Sequence, residues 1–421
     1  MALIKQNNRL GRRPHAWLAS VVLLPYVSYA GLLLMLGLLL SAMFQRGKQV
    51  WRLCGQQGLG WLTAGLLLSA SFGINRGDAF LQLTNFLPFF VLFGAIATIP
   101  TLVAQPFDRL GTVAEWLLVS AVPMNLIAIA EYILKFDRIA GRVQAMPLPA
   151  WFLNWLYVPD FGHRAHSLFS HPNTLSAYLA IVLGLGLGVI LKALNQPATR
   201  GTWIQGLAVA LCLVAIFCTG SRNGVLIALM LIAIALYAAR RHRGVMLCGL
   251  VGGSGIVAAV MSFGIGGRSL SMALLITQDP RVGVWQLAIK MIQQRPWLGW
   301  GLSGLRETYE PGSIPGYDTI FHAHNVWLFL ASETGIPVML GFCLFVGMLY
   351  YNSVRTAIKG SLPTASKAVL LGYLMALTSC LLFGLFDVVL FDARLNVLAW
   401  GLLASLYVMS HHNLAKPDTF C

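Results

Sequence analysis

Residues 219–239 read TGSRNGVLIALMLIAIALYAA, a polar hexapeptide followed by fifteen residues without a charge. A helix that is apolar all round cannot face water on any side; it belongs in a bilayer or a large core. Ser221 or Thr219 is placed to cap it, which puts Arg222 in its first turn. A cation there meets the positive end of the helix macrodipole, which weakens the helix unless an anion joins both. With a phosphate present, the free backbone N–H groups and the guanidinium point at one place and become a binding site. The competing reading is an Arg222 that snorkels to lipid headgroups.

The rest of the chain has the same character. Of 421 residues only 29 are Lys or Arg and 14 Asp or Glu, or 10% charged, against about 25% in soluble domains. With 57% hydrophobic residues and a mean hydropathy of +0.74, an ordinary soluble enzyme and a disordered chain are both excluded. A net charge of +15 would suggest nucleic acid in a soluble protein. Here the positives lie between apolar runs of membrane length, so the expected partner is the bilayer and not nucleic acid. Six of the seven cysteines (Cys54, Cys212, Cys218, Cys248, Cys343, Cys380) sit in or beside apolar runs and Cys421 ends the sequence; no CxxC pair or disulfide framework is visible. No cleavable signal peptide is expected, because the first apolar stretch lacks a small-residue cleavage site.

The reading is therefore an all-α integral membrane protein, a single polytopic domain over 1–421 with about twelve transmembrane helices. The spans are expected near 16–27, 29–44, 58–73, 85–104, 111–134, 174–191, 203–218, 222–239, 244–263, 323–350, 368–386 and 393–410. Residues 16–43 form one apolar block, split by a turn at Pro25, Tyr26 and Ser28. Twelve spans place 17 of the 29 Lys and Arg on one side: Lys5, Arg9, Arg12, Arg13, Arg46, Lys48, Arg52, Arg109, Lys192, Arg200, Arg240, Arg241, Arg243, Arg355, Lys359, Lys367 and Lys416. Eleven spans would set the basic N-terminus against the other basic loops, contrary to the positive-inside tendency. Two long segments then lie outside: 135–173, and 264–322 between spans 9 and 10.

Residues 281–301, RVGVWQLAIKMIQQRPWLGWG, form part of the larger outside segment. Val282, Trp285, Ala288, Ile289 and Ile292 recur at helical spacing, with Gln286, Lys290, Gln293 and Gln294 on other faces, so an amphipathic helix ending at Pro296 is expected. Arg281 aligns with its apolar stripe, where a guanidinium needs an anionic partner: Asp279 or a substrate phosphate. Residues 322–337, HAHNVWLFLASETGIP, open the next span, with His324 in the first turn above Leu328, Ala331 and Gly335. An imidazole at such an end suits a general base. Glu333, nine residues on, lies about half a revolution away and serves another contact.

In residues 163–178, HRAHSLFSHPNTLSAY, the spacing of His163, His166 and His171 fits no zinc motif. Asp387, Asp392 and Arg394 are read as a structural ion pair, and no DxD-like pair is present to hold a divalent ion for a nucleotide sugar. No metal and no cofactor are expected.

TGSRNG before an apolar span, an Arg-led stretch ending in RPWLGWG, and AHNVWLFLASETGIP, in that order, resemble the Wzy/WaaL superfamily of bacterial envelope glycan ligases and polymerases. The resemblance covers 170–400 well and the first 110 residues only as hydrophobic pattern. It implies about twelve helices, a donor glycan on undecaprenyl pyrophosphate, and a metal-independent site on the periplasmic face of the inner membrane. It assigns function to Arg222, Arg281 and His324, and makes His171 a further candidate. Asn325, Trp285 and Lys290 complete the expected substrate-binding set, with Trp285, Trp297 and Trp300 stacking on sugars or anchoring at the interface.

A ligase that transfers O-antigen to lipid A–core resembles the chain best, since a basic outside face suits two anionic lipids. A polymerase shares the motifs. From other classes, a lipid-linked glycan flippase would place ionisable groups near the midplane, and a structural subunit would tolerate loss of each outside Arg and His.

Overall fold

A computed structural model describes residues 13–194, 199–265, 279–388 and 391–412. Expectations on Lys5, Arg9, Arg12, Lys416, Cys421 and part of the 264–322 segment lie outside these residues. The described residues are helical, without a sheet; one isolated bridge joins Ile314 and Tyr317.

Nine helices among the described residues are long and apolar enough to cross a membrane. Nine of the twelve expected spans correspond to them, and the other three are short. Arg13–Leu23, Leu59–Ser71 and Arg222–Ala238 have 11, 13 and 17 residues, where a full crossing takes about 20. The chain does turn at residues 24–27, but Ser28–Gln56 then runs for 29 residues and carries Arg46, Lys48 and Arg52 on a helix, not in a loop. The 135–173 segment contains the short helices Asp137–Gln144 and Ala150–Leu156.

The single domain expected from sequence is organised as two compact units. The first comprises 1–109, 271–360 and 380–421, the second 110–270 and 361–379. An aromatic core holds the first together, linking Leu87–Ala97, Ile336–Lys359 and Ala393–His411: Phe90 and Trp400 lie 5.2 Å apart, Phe93 and Phe345 5.4 Å, and Phe345 and Trp400 5.8 Å. In the second, Pro172–Ala193 is buried almost throughout and packs against Arg200–Cys218 and Arg222–Ala238. Gly188 and Gly372 meet there so closely that a methyl on either would strike the other's backbone.

One departure from the expected spans shapes the first unit. The 323–350 span is two helices, Val326–Thr334 and Ile336–Lys359, broken at Gly335. Gly335 has φ 88° and ψ 158°, a conformation essentially confined to glycine. The RPWLGWG segment lies against this break. Trp300 N–H donates to the Ser332 carbonyl (3.1 Å), Gly301 N–H to Glu333 (2.9 Å) and Ile336 N–H to Pro296 (2.8 Å). The backbone groups freed by the break are thus satisfied by the crossing strand of chain. A Cβ on Gly299 would collide with the Glu333 backbone.

Candidate functional site

The first unit gathers a cluster around His324. His324 is not in the first turn of a helix, as its spacing suggested. It stands two residues ahead of Val326 with φ 48°, a left-handed conformation unusual for a non-glycine residue. Asn325 explains the shift: its Oδ1 accepts from Trp327 and Leu328 N–H, both at 3.0 Å, and so caps the helix. Asn325 Nδ2 donates to the Leu385 carbonyl (3.1 Å), and Val326 N–H to Gly384 (2.7 Å). These two bonds bring the 384–388 turn beside His324 and with it Asp387.

Asp387 is thereby separated from its expected partner. Arg394 pairs with Asp392, Nη2 to Oδ2 at 2.6 Å, while Asp387 Oδ1 lies 3.6 Å from His324 Nδ1, an ion-pair distance slightly longer than a hydrogen bond. His322 completes the group. Its Nδ1 accepts from His324 N–H (3.3 Å), its ring meets that of His324 edge-on at 4.5 Å, and it stacks on Phe391 at 5.2 Å. Tyr317 lies over His324 with ring centroids 5.4 Å apart.

Arg281 belongs to the same cluster. Of the two partners considered for it, Asp279 is at hand: Arg281 Nη1 is 3.9 Å from Asp279 Oδ2. Asp279 Oδ1 takes the Arg281 N–H at 3.0 Å at the start of Arg281–Gln294. The buried residues of that helix are Val284, Ala288 and Met291; of the expected stripe Ala288 is buried, Val282, Trp285 and Ile292 are only partly so, and Ile289 is exposed. The stripe turns because the helix packs on Val326–Thr334. Trp285, one turn from Arg281, lies near Phe386, and its buried indole N–H has no hydrogen-bond partner among the described residues.

The electrostatics follow from burial and neighbouring charge. Burial pushes the Asp387 carboxyl up, but His324, His322 and Arg281 outweigh it and hold the group well below the usual carboxylate range. Burial, reinforced by His324, lowers His322 to about 4, so it is neutral near pH 7 and its Nδ1 is free to accept. Ligand atoms of His322, His324 and Asp387 lie within 4.8 Å of one another, a spacing that would suit a cation. Arg281 acts on the same groups, which makes the pocket better suited to a proton and an anion.

Arg222 lies in the second unit, half-buried at the start of Arg222–Ala238, whose N-cap is Ser221. Ser221 Oγ accepts from Gly224 N–H (3.3 Å), and Thr219 Oγ1 from Ser221 N–H (3.2 Å). Gly224 admits close approach, since a Cβ there would overlap Ser176. The HPN segment joins this helix start. His171 caps Pro172–Ala193 through Nδ1, and Arg164 donates to Asn173 Oδ1 (2.5 Å) and the Thr219 carbonyl (3.0 Å). A buried Glu131 holds the segment below, accepting from Lys135 Nζ (2.7 Å), His166 N–H (3.0 Å) and Ser167 N–H (2.7 Å).

Of the residues singled out in the sequence, the first unit brings together Arg281, Trp285, His324 and Asn325, with the Asn325 amide engaged in capping and tethering. Lys290 is exposed, about half a revolution from Arg281 on their shared helix, and is not drawn in. Trp300 Nε1 donates to the Met291 carbonyl (2.9 Å), and Trp297 is exposed. Asp387 and His322 were missed as site residues; HAH was the only trace of the latter.

No curated protein matches the chain. Residues 207–343, which hold Arg222, Arg281 and His324 but not Asp387, match the family model Wzy_C, described as O-antigen ligase, in keeping with the Wzy/WaaL resemblance of the motifs.

Proposed function

We propose that this protein is an O-antigen ligase, a glycosyltransferase that moves O-antigen from undecaprenyl pyrophosphate to lipid A–core. It works without metal at the periplasmic face of an inner-membrane bundle of about twelve helices. The observation that carries the reading is the grouping of an imidazole, a carboxylate and a guanidinium around His324. The family match over 207–343 supports the class of reaction.

In this reading the acceptor hydroxyl attacks the anomeric carbon of the first donor sugar. The new C–O bond forms as the bond to the pyrophosphate oxygen breaks, inverting the configuration. The hydroxyl proton passes to His324 Nε2, because Nδ1 faces Asp387, and the carboxylate stabilises the imidazolium that results. The departing pyrophosphate carries the bond electrons, and Arg281 stabilises that charge; Arg222, at a capped helix start in the second unit, is a further candidate for binding phosphate. At about 4 Å and an effective dielectric near 20, each such contact has a Coulomb term of about 4 kcal/mol before desolvation. The indole N–H of Trp285 offers a donor for a sugar hydroxyl. Asn325 positions His324, His171 is a further candidate in the second unit, and Lys290, on the outer face of its helix, is peripheral.

The test is a product assay with reconstituted protein, lipid-linked O-antigen and lipid A–core. Glycan should appear on the core, with chelator present, and His324→Ala, Arg281→Ala and Arg222→Ala should each abolish it. Chain extension of the lipid-linked glycan without transfer to core would indicate a polymerase, and movement without a new bond a flippase. Wild-type turnover by all three folded variants would overturn the assignment.

A further inference from the structure

The Ser28–Gln56 helix changes its outward character within about one turn. Leu33, Leu40 and Phe44 are 68%, 63% and 93% exposed, so this face is apolar up to residue 44. Beyond it the exposed residues include Lys48, Trp51 and Arg52, opposite the buried Val50, Leu53 and Cys54. Exposed Leu and Phe giving way to exposed Lys, Trp and Arg mark the level where hydrocarbon meets headgroups.

The helix bends at that level. Arg46 leaves helical geometry, with φ −136° and ψ 18°, and its guanidinium donates to the carbonyl of Thr98, the C-cap of Leu87–Ala97. Beside the bend is an open cleft of about 90 Å³. Trp17, Met35, Leu39 and Ile96 are among its walls, and Gln45 and Arg46 also line it. All of these residues belong to the first unit.

We infer that this cleft is a binding site for one anionic phospholipid. The headgroup phosphodiester lies against Arg46 at the polar end of the cleft, exposed Lys48 and Arg52 further along the same helix add positive potential there, and the first part of an acyl chain rests on Met35 and Leu39. The apolar walls offer nothing to a free phosphate, and the cationic end gives a net-neutral lipid less than an anionic one. Basic pockets between membrane helices select anionic headgroups on this ground. The inference is independent of the proposed transferase reaction.

Native mass spectrometry of the full chain in detergent tests it, with dioleoylphosphatidylglycerol and dioleoylphosphatidylcholine titrated separately. One phosphatidylglycerol should bind in preference to phosphatidylcholine. The surface variant Lys48→Gln/Arg52→Gln should lower phosphatidylglycerol affinity about 30-fold, from two charges near a headgroup, and leave phosphatidylcholine unchanged. Ala42→Trp, which fills the cleft, should abolish the preferred adduct. Equal binding of the two lipids would overturn the proposal, as would displacement by inorganic phosphate or wild-type affinity in both variants.

Discussion

At the scale of single residues, Asp387 and His322 both act on His324, one through its ring and one through its backbone. Asp387→Asn keeps the shape but removes the charge that, in the proposed reaction, stabilises an imidazolium. Turnover should fall about 100-fold with little change in KM, measured by transfer to core under saturating donor. His322 titrates below its ordinary 6.5, at about 4, so the unfolded chain takes up a proton there before the folded one does. Asp387 is also depressed, which puts the same sign on still more acidic conditions. Stability therefore falls as pH drops from about 6.5 towards 4 through His322, and further through Asp387 below its ordinary range. Thermal unfolding in detergent across that interval should show the slope, and His322→Gln should flatten its upper part.

At the scale of elements, the break at Gly335 positions the site, because it ends the helix led by His324 and Asn325 and admits the RPWLGWG crossing. Glu333 completes the junction: its carboxylate accepts from Ser303 N–H (2.9 Å) and Leu305 N–H (3.1 Å). Glu333→Ala leaves two buried donors without a partner and should lower stability by about 3 kcal/mol, read as a shift in the unfolding midpoint. Glu333→Gln retains an acceptor and should be milder. Unaltered stability in Glu333→Ala would show that the junction does not depend on this carboxylate. Periodicity signalled one continuous span over 323–350 and not the break within it, since the apolar pattern continues through Gly335 and Pro337. The wrong stripe on Arg281–Gln294 has a related cause: two apolar faces compete in that sequence, and contact with Val326–Thr334 selects one.

At the scale of the molecule, each unit is assembled from separate stretches of chain, with Arg281 and His324 in one and Arg222 in the other. The proposed orientation puts 279–322 outside and Lys48 inside. In a cysteine-free background, Lys290→Cys should react with a membrane-impermeant maleimide in intact cells whose outer envelope is opened, and Lys48→Cys only after permeabilisation. The reverse pattern would refute the orientation. Sequence alone determined the all-helical, bilayer-embedded character, the capped start at Arg222 and the three motifs, because hydropathy and capping are local properties carried by neighbouring residues. Tertiary structure decided that His324 precedes its helix, that Asp387 leaves Arg394 for the imidazole and that His322 holds the His324 backbone. The first follows from the local Asn325 cap, which the apolar run after it masked; the second depends on Asn325 and Val326 bonding a turn about 60 residues away, and a contact between distant loops leaves no period in the chain that forms it.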